Sequence, residues 1–215
     1  MNRLAIFDCD GTLVDSQHII CMAMDEAFVR AKLDPPGRAA TLSVIGLSLY
    51  EIMGVLLPDA DTAEHSMMAE RYRATYLDMR TRGMEHEPLY EGIVSALDTL
   101  LAQGWLLGVA TGKSDRGLQR CLGTHRLTHR FVTLQTADRH PSKPHPSMIE
   151  TAMADAGASP ETTVMIGDTS FDMLMARAAN VRAIGVSWGY HAADELHAAG
   201  AHVVAAHPRE IMEML

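Results

Sequence analysis

Long apolar runs are missing from this chain, and no stretch is long enough to cross a bilayer as a helix. The first residues also lack the basic and apolar regions of a secretory signal. Cysteine is scarce: Cys9, Cys21 and Cys121 are the only three, at intervals that fit neither a disulfide framework nor a metal knuckle. A reducing, cytoplasmic setting is expected. Eleven histidines are scattered along the chain, and no zinc site is expected from them. Basic residues are outnumbered, 18 Lys and Arg against 27 Asp and Glu, for a net charge of −9. That balance argues against nucleic acid or an anionic membrane as a partner, but not against a small anion held by a metal and a few local cations. There is no internal repeat and no low-complexity segment.

What is present is enough for an ordinary core: 47% of 215 residues are hydrophobic, which suits one domain with an insertion or two small ones. The chain is organised around Phe7-Asp8-Cys9-Asp10-Gly11-Thr12-Leu13-Val14-Asp15-Ser16. Leu4–Phe7 reads as a short buried strand that stops at a turn signal. On extended backbone Asp8 and Asp10 project to one side and Cys9 to the other. Gly11 then lets the chain turn sharply. Two carboxylates crowded at a strand end repel each other unless a cation lies between them, and a hard, oxygen-seeking ion such as Mg²⁺ suits that role.

Further strands are expected at Trp105–Ala110, Arg130–Leu134, Thr163–Ile166, Ala183–Val186 and His202–Ala205. Between them helical spacing predicts segments from Ile93 to Leu101, from Ser114 toward Leu122, and over Pro146–Ala156, Phe171–Ala179 and Ala192–Ala199. Alternating strands and helices define an α/β fold with a doubly wound parallel sheet. A βαβ unit needs only about thirty residues from strand to strand, and the first two strands lie far beyond that distance. The excess is helical throughout. Apolar residues recur from Ile19 to Phe28 up to Pro35-Pro36-Gly37, and helices are expected over Ser48–Leu57 and Ala63–Arg82. Met67, Met68, Tyr72, Tyr76 and Met79 form a stripe read as helix-packing core. The expected division is therefore a core of residues 1–15 and 88–215 with an all-helical cap at 16–87, leaving and returning beside the strand edge where such folds bind ligands.

Each later strand runs into polar residues. The second ends in Thr111-Gly112-Lys113-Ser114, a hydroxyl, a bare backbone and a helix start that together can cradle a phosphate. Lys143 sits in the loop Ser142-Lys143-Pro144-His145-Pro146. The Thr163–Ile166 strand ends in Gly167-Asp168-Thr169-Ser170-Phe171-Asp172. Parallel strands bring all of these to one edge of the sheet.

In that order the motifs Asp8-x-Asp10-Gly11-Thr12, Thr111-Gly112, Lys143-Pro144 and Gly167-Asp168-x-x-x-Asp172 resemble those of the haloacid dehalogenase superfamily of phosphotransferases, over nearly the whole chain. The helical insertion is similar to the cap of the subfamily containing phosphoglycolate phosphatase and β-phosphoglucomutase. The resemblance implies a Rossmann-like core and a Mg²⁺-dependent phosphatase acting on a small phosphorylated metabolite, as a monomer or small homo-oligomer. It implies Asp8 as nucleophile and Asp10 as general acid and base. It implies Mg²⁺ held by Asp8, Asp168 and the main-chain carbonyl of Asp10, and phosphoryl oxygens bound by Thr111, the Gly112 amide and Lys143. Asp172 would orient Lys143 or a metal-bound water, while Gly11 and Thr12 support the loop.

Several alternatives stand beside this reading. A dehalogenase would lack a carboxylate at the Asp10 position. A β-phosphoglucomutase-like mutase would want basic residues near Gly46, where Gly46-Leu47-Ser48-Leu49 has none, although Arg38, Arg71 or Arg73 could still face the site. A pyrophosphatase and a non-catalytic regulator that binds a phosphorylated ligand are the remaining alternatives. A P-loop is one residue short between Gly108 and Gly112, and a receiver domain is shorter and has no helical insertion.

Overall fold

The computed structural model describes residues 1–84 and 86–215. Six strands, β1 (Asn2–Phe7), β2 (Trp105–Thr111), β3 (Thr133–Thr136), β4 (Ala158–Gly167), β5 (Arg182–Val186) and β6 (Val203–Ala205), form one sheet. All neighbours are parallel, in the order β3-β2-β1-β4-β5-β6. Four helices lie between β1 and β2 before the last crossover: α1 (Gln17–Arg30), α2 (Gly37–Leu42), α3 (Leu49–Leu56) and α4 (Thr62–Thr81). The others alternate with the strands: α5 (Ile93–Ala102), α6 (Asp115–Thr124), α7 (Ser147–Ala156), α8 (Ser170–Ala178) and α9 (Ala193–Ala199). This is the expected doubly wound α/β fold with a helical insert.

β1 is central and covered on both faces. Ala5 and Phe7 pack with Ile93 and Leu97 of α5 and Leu118 and Leu122 of α6. Leu4 and Ile6 face the opposite way, onto Met148 and Ile149 of α7 and Met173 and Ala176 of α8. Burial of both faces explains why the sequence shows a continuous apolar run there and no alternation. The winding direction reverses between β1 and β4, and such folds bind ligands at that switch point. The registers Phe7↔Val109 and Phe7↔Ile166 bring Asp8 beside the ends of β2 and β4 together.

The insert has a small core of its own, in which Met24 and Phe28 of α1 meet Ile52 and Met53 of α3 and Met68 of α4. Ser48 caps α3 by accepting from Glu51 N at 3.4 Å, and Asp61 caps α4 in a reciprocal capping box with Glu64. Three local expectations need correction. Met67 is 63% exposed, because the buried stripe of α4 runs through Met68, Tyr72, Tyr76 and Met79 at intervals of three and four, and Met67 falls beside it. The chain leaves α1 at Ala31, with Lys32 at φ 62°, ahead of Pro35. The strand expected at Arg130–Leu134 begins only at Thr133. Leu127 and Phe131 are both buried, four residues apart, so the chain is still turning through a 3₁₀ segment at Thr128–Arg130.

Candidate active site

β1 runs directly into a tight loop. Cys9 O accepts from Leu13 N at 2.9 Å and Val14 N at 3.1 Å, and Gly11 N donates to Val14 O at 2.9 Å. Gly11 has φ +79°, and a Cβ on it would stand 2.1 Å from Asp168 Oδ2, so the turn and the neighbouring carboxylate both demand glycine. Cys9 points into the core, with its sulfur 3.8 Å from that of Cys121.

Three carboxylates meet here. One oxygen each from Asp8, Asp168 and Asp172 lies within 4.8 Å of the others, and all three residues are buried. Asp8 Oδ1 accepts from Cys9 N at 2.6 Å and forms an ion pair with Lys143 Nζ at 2.9 Å, while Asp8 Oδ2 has no hydrogen-bond partner among the described residues. Burial pushes the Asp8 carboxyl up to about 7, although Lys143 pulls the other way. Asp168 Oδ1 accepts from Thr12 Oγ1 at 2.7 Å, and Oδ2 accepts from Tyr190 N at 2.9 Å. Burial and then the charges of Asp8 and Asp172 still hold it well above the carboxylate range. Asp172 Oδ1 accepts from Lys143 Nζ at 2.7 Å, and its Oδ2 accepts from Thr169 N at 3.0 Å and Thr169 Oγ1 at 2.7 Å. Burial would push the Lys143 ammonium down, but Asp172 and Asp8 outweigh it and keep it above its ordinary value.

One ammonium among three buried carboxylates leaves negative charge in excess, and one oxygen, Asp8 Oδ2, is without a donor. All-oxygen donors with uncompensated charge fit a hard divalent cation. Asp172 takes three donors from Lys143 and Thr169, against one on each Asp168 oxygen and none on Asp8 Oδ2 among the described residues, which leaves Asp8 and Asp168 with the greater free capacity. Gly189 contributes to the same slot, since a Cβ there would lie 2.2 Å from Asp168 Cβ.

Asp10 belongs to a second group beside the first. Its Oδ1 accepts from Ser16 Oγ and pairs with Lys113 Nζ at 2.9 Å. Lys113 Nζ also reaches Glu87 Oε1 at 2.9 Å. Burial opposes charge on this lysine, and Asp10 and Glu87 overcome that and hold it well above its ordinary value. The Asp10 carboxylate is thus turned to Lys113 and Ser16 and stands outside the group of three.

Thr111 is fully buried at the end of β2, with its Oγ1 accepting from Lys113 N at 3.2 Å. A Cβ on Gly112 would come within 2.4 Å of Leu47 O, so the bare backbone of Gly112 lets the insert's loop settle on it. Ser48 N of the same loop donates to Ser142 Oγ at 2.7 Å, beside Lys143. Between insert and sheet edge lies a cavity of about 440 Å³ whose floor includes Asp8, Asp10, Thr111, Gly112 and Lys113.

All the motif residues read from the sequence therefore gather at one edge. The reading missed Lys113, Glu87, Ser16, Gly189 and Tyr190. Lys113 follows Thr111-Gly112 directly, and Gly189-Tyr190 follow the end of β5, so attention to every strand end would have found them. Glu87 carried no local signal.

Comparison with known proteins agrees with this geometry. Residues 5–186 match the model of the haloacid dehalogenase-like hydrolase family. The chain belongs to that family. A probable phosphatase IndB of Dickeya dadantii is 38% identical over 209 residues, covering 95% of this chain and 89% of its own. A phosphoglycolate phosphatase of Pseudomonas putida is 28% identical over 88% of this chain and 71% of its own. Among solved structures, a hydrolase from Pseudomonas syringae superposes with a TM-score of 0.86 at 25% identity, covering 99% of this chain and 97% of its own. This is a hydrolase with phosphatases among its relatives, similar in kind to the phosphoglycolate phosphatases. No helix among the described residues is long and apolar enough to cross a membrane.

Proposed function

We propose that the chain is a Mg²⁺-dependent phosphatase that hydrolyses a small phosphomonoester through an aspartyl-phosphate on Asp8. The observation that carries this reading is the partnerless Asp8 Oδ2 in the same cavity as Asp10, whose carboxylate Lys113 and Ser16 hold in place. Asp8 Oδ2 attacks phosphorus as the bond to the ester oxygen breaks, and Asp10, protonated and no longer paired with Lys113, gives its proton to the departing alkoxide. Water then attacks the aspartyl-phosphate, losing a proton to Asp10. The phosphorus–Asp8 bond breaks, releasing inorganic phosphate and restoring both carboxyl groups. Lys143, held by Asp172, fixes Asp8 Oδ1 and, with Thr111 and the Gly112 amide, binds the phosphoryl oxygens. Asp8, Asp168 and the main-chain carbonyl of Asp10 would hold Mg²⁺, which would neutralise charge on the nucleophile and the transferring group. Thr12 and Tyr190 N orient Asp168 from behind. Residues 16–87 serve as a cap that limits bulk water, over a core of 1–15 and 88–215.

The test is hydrolysis of p-nitrophenyl phosphate with and without Mg²⁺ by the wild type and Asp8→Asn. Mg²⁺-dependent release that falls by at least about 10⁴-fold in the variant is expected. Undiminished turnover by folded Asp8→Asn would remove Asp8 from the chemistry.

A further inference from the structure

We infer that the cavity accepts a phosphomonoester whose alcohol half is a bulky, ring-bearing body with a hydrogen-bonding edge, such as a nucleoside, in preference to a two- or three-carbon acid. This names the substrate class of the site proposed above and rests on that reading.

Size is the first support. The cavity measures about 440 Å³, inside the range of roughly 300–1,000 Å³ typical of pockets for drug-sized ligands. A phosphorylated two-carbon acid would leave most of that space to water. Wall chemistry is the second. Away from the carboxylates and Thr111, the insert lines the cavity with Ile20, Met24, Tyr72, Tyr76 and Leu77. The two tyrosine rings lie 6.0 Å apart at an interplanar angle of 40°, and Leu77 remains 43% exposed at this wall. A short dianion gains nothing from such a surface, whereas a flat ring buries apolar area against it and adds aromatic contact.

Thr41 supplies an independent third support. It is fully buried on α2, lines the cavity, and its Oγ1 has no hydrogen-bond partner. An orphaned hydroxyl is costly unless something meets it, and a hydrogen-bonding edge on the alcohol half would supply a partner. The rival small acid would have to rely on Arg116 and Arg120, one turn apart on α6, which also line the cavity and carry no ion pair among the described residues, or on Arg73 of the insert, which lines it too and is paired with Glu70.

The experiment compares kcat/KM in Mg²⁺ buffer for four esters of primary alcohols: ethyl phosphate, phosphoglycolate, 2-phenylethyl phosphate and uridine 5′-monophosphate. Equilibrium binding of propylphosphonate and 3-phenylpropylphosphonate, which cannot be hydrolysed, is measured beside it. Both ring-bearing esters are expected to exceed ethyl phosphate and phosphoglycolate by at least about tenfold, and the ring-bearing phosphonate to bind at least about tenfold more tightly, the scale of burying one ring. In Leu77→Trp the ratio of 2-phenylethyl to ethyl phosphate should fall at least about fivefold. In Thr41→Val the ratio of uridine monophosphate to 2-phenylethyl phosphate should fall by a similar factor, and an unchanged ratio would overturn the contact with Thr41. Where the esters turn over, equal rates or a preference for phosphoglycolate overturns the inference. Where none turns over, the phosphatase reading fails, and the phosphonates decide alone: tighter binding of the ring supports the cavity's assignment, and equal binding overturns it.

Discussion

The sheet edge and the helical wall that faces it are built by opposite rules. At the edge, charge is dense and nearly every polar atom is engaged: Thr12 and Tyr190 N hold Asp168, Thr169 and Lys143 hold Asp172, and Lys113 joins Asp10 to Glu87. Gly11 and Gly189 are bare so that Asp168 fits between them. On the facing wall most side chains are apolar or aromatic, with Ser48 and Arg73 the polar exceptions beside Thr41, whose Oγ1 has no hydrogen-bond partner among the described residues. A surface of the first kind fixes a reaction, because each group is located by its neighbours. A surface of the second kind fixes only shape and greasiness, which can change without disturbing the chemistry.

The comparison can be broken most severely at Asp168, a carboxylate proposed to hold the metal. Asp168→Asn should lower kcat by at least about 10³-fold and raise the Mg²⁺ concentration needed for half activity. An unchanged Mg²⁺ titration would take Asp168 out of the ligand set. Next in size is Lys113→Met, which leaves Asp10 and Glu87 buried without their shared cation. A loss of about 3–5 kcal/mol is expected in denaturant unfolding, and adding Glu87→Gln should recover part of it. If Lys113→Met unfolds at the wild-type midpoint, the ion-pair chain contributes nothing. Gly189→Ala comes third: the new methyl meets Asp168 at 2.2 Å and should cost about 1–3 kcal/mol while weakening Mg²⁺ binding. Full retention of both would mean that the loop moves aside freely.

A pH experiment sharpens the same contrast. Without metal, Asp8 titrates at about 7 when folded against 3.8 as its ordinary value, with burial as the cause. Between those values the folded state binds the extra proton, so this group's stabilisation is complete below about pH 4 and is lost as pH rises through about 7. The melting temperature of metal-free wild type, taken relative to Asp8→Asn, should therefore fall from about pH 5 to about pH 8, and Mg²⁺ should flatten the slope. A rising difference would contradict the assigned burial cost. The smallest effect belongs to the insert's outer face, where Met67→Lys should stay within about 0.5 kcal/mol because that side chain is 63% exposed.

The fold was legible because each central strand is buried on both faces and so appears as an apolar run ending at a turn. Arg130–Leu134 misled because Leu127 and Phe131 carry helical spacing inside a β-branched stretch. The candidate site was legible where motif residues sit at strand ends, a place that topology alone makes common ground. Glu87 was not, since nothing near it in sequence announces that Lys113 lies 2.9 Å away. The wall opposite was read correctly as packing for Tyr72 and Tyr76, but helical spacing could not show that the same side chains also border an open cavity.

The position of β1 has a consequence for how the site comes into being. β1 pairs with β2, which starts at Trp105, and with β4, which ends at Gly167, and the loop after it is closed by Trp188 Nε1 donating to Thr12 O at 3.1 Å. Asp168 is held by Thr12 on one side and by Tyr190 N on the other. No local fragment can assemble this edge ahead of the rest. Loop closures of this span make folding slow, and until β2 and β4 arrive the apolar run at Leu4–Phe7 has nothing to pair with and is exposed to wrong associations. The chemistry is therefore a late event on the folding pathway, and a truncation that removes the stretch after β5 should cost the nucleophile its setting although Asp8 itself is untouched.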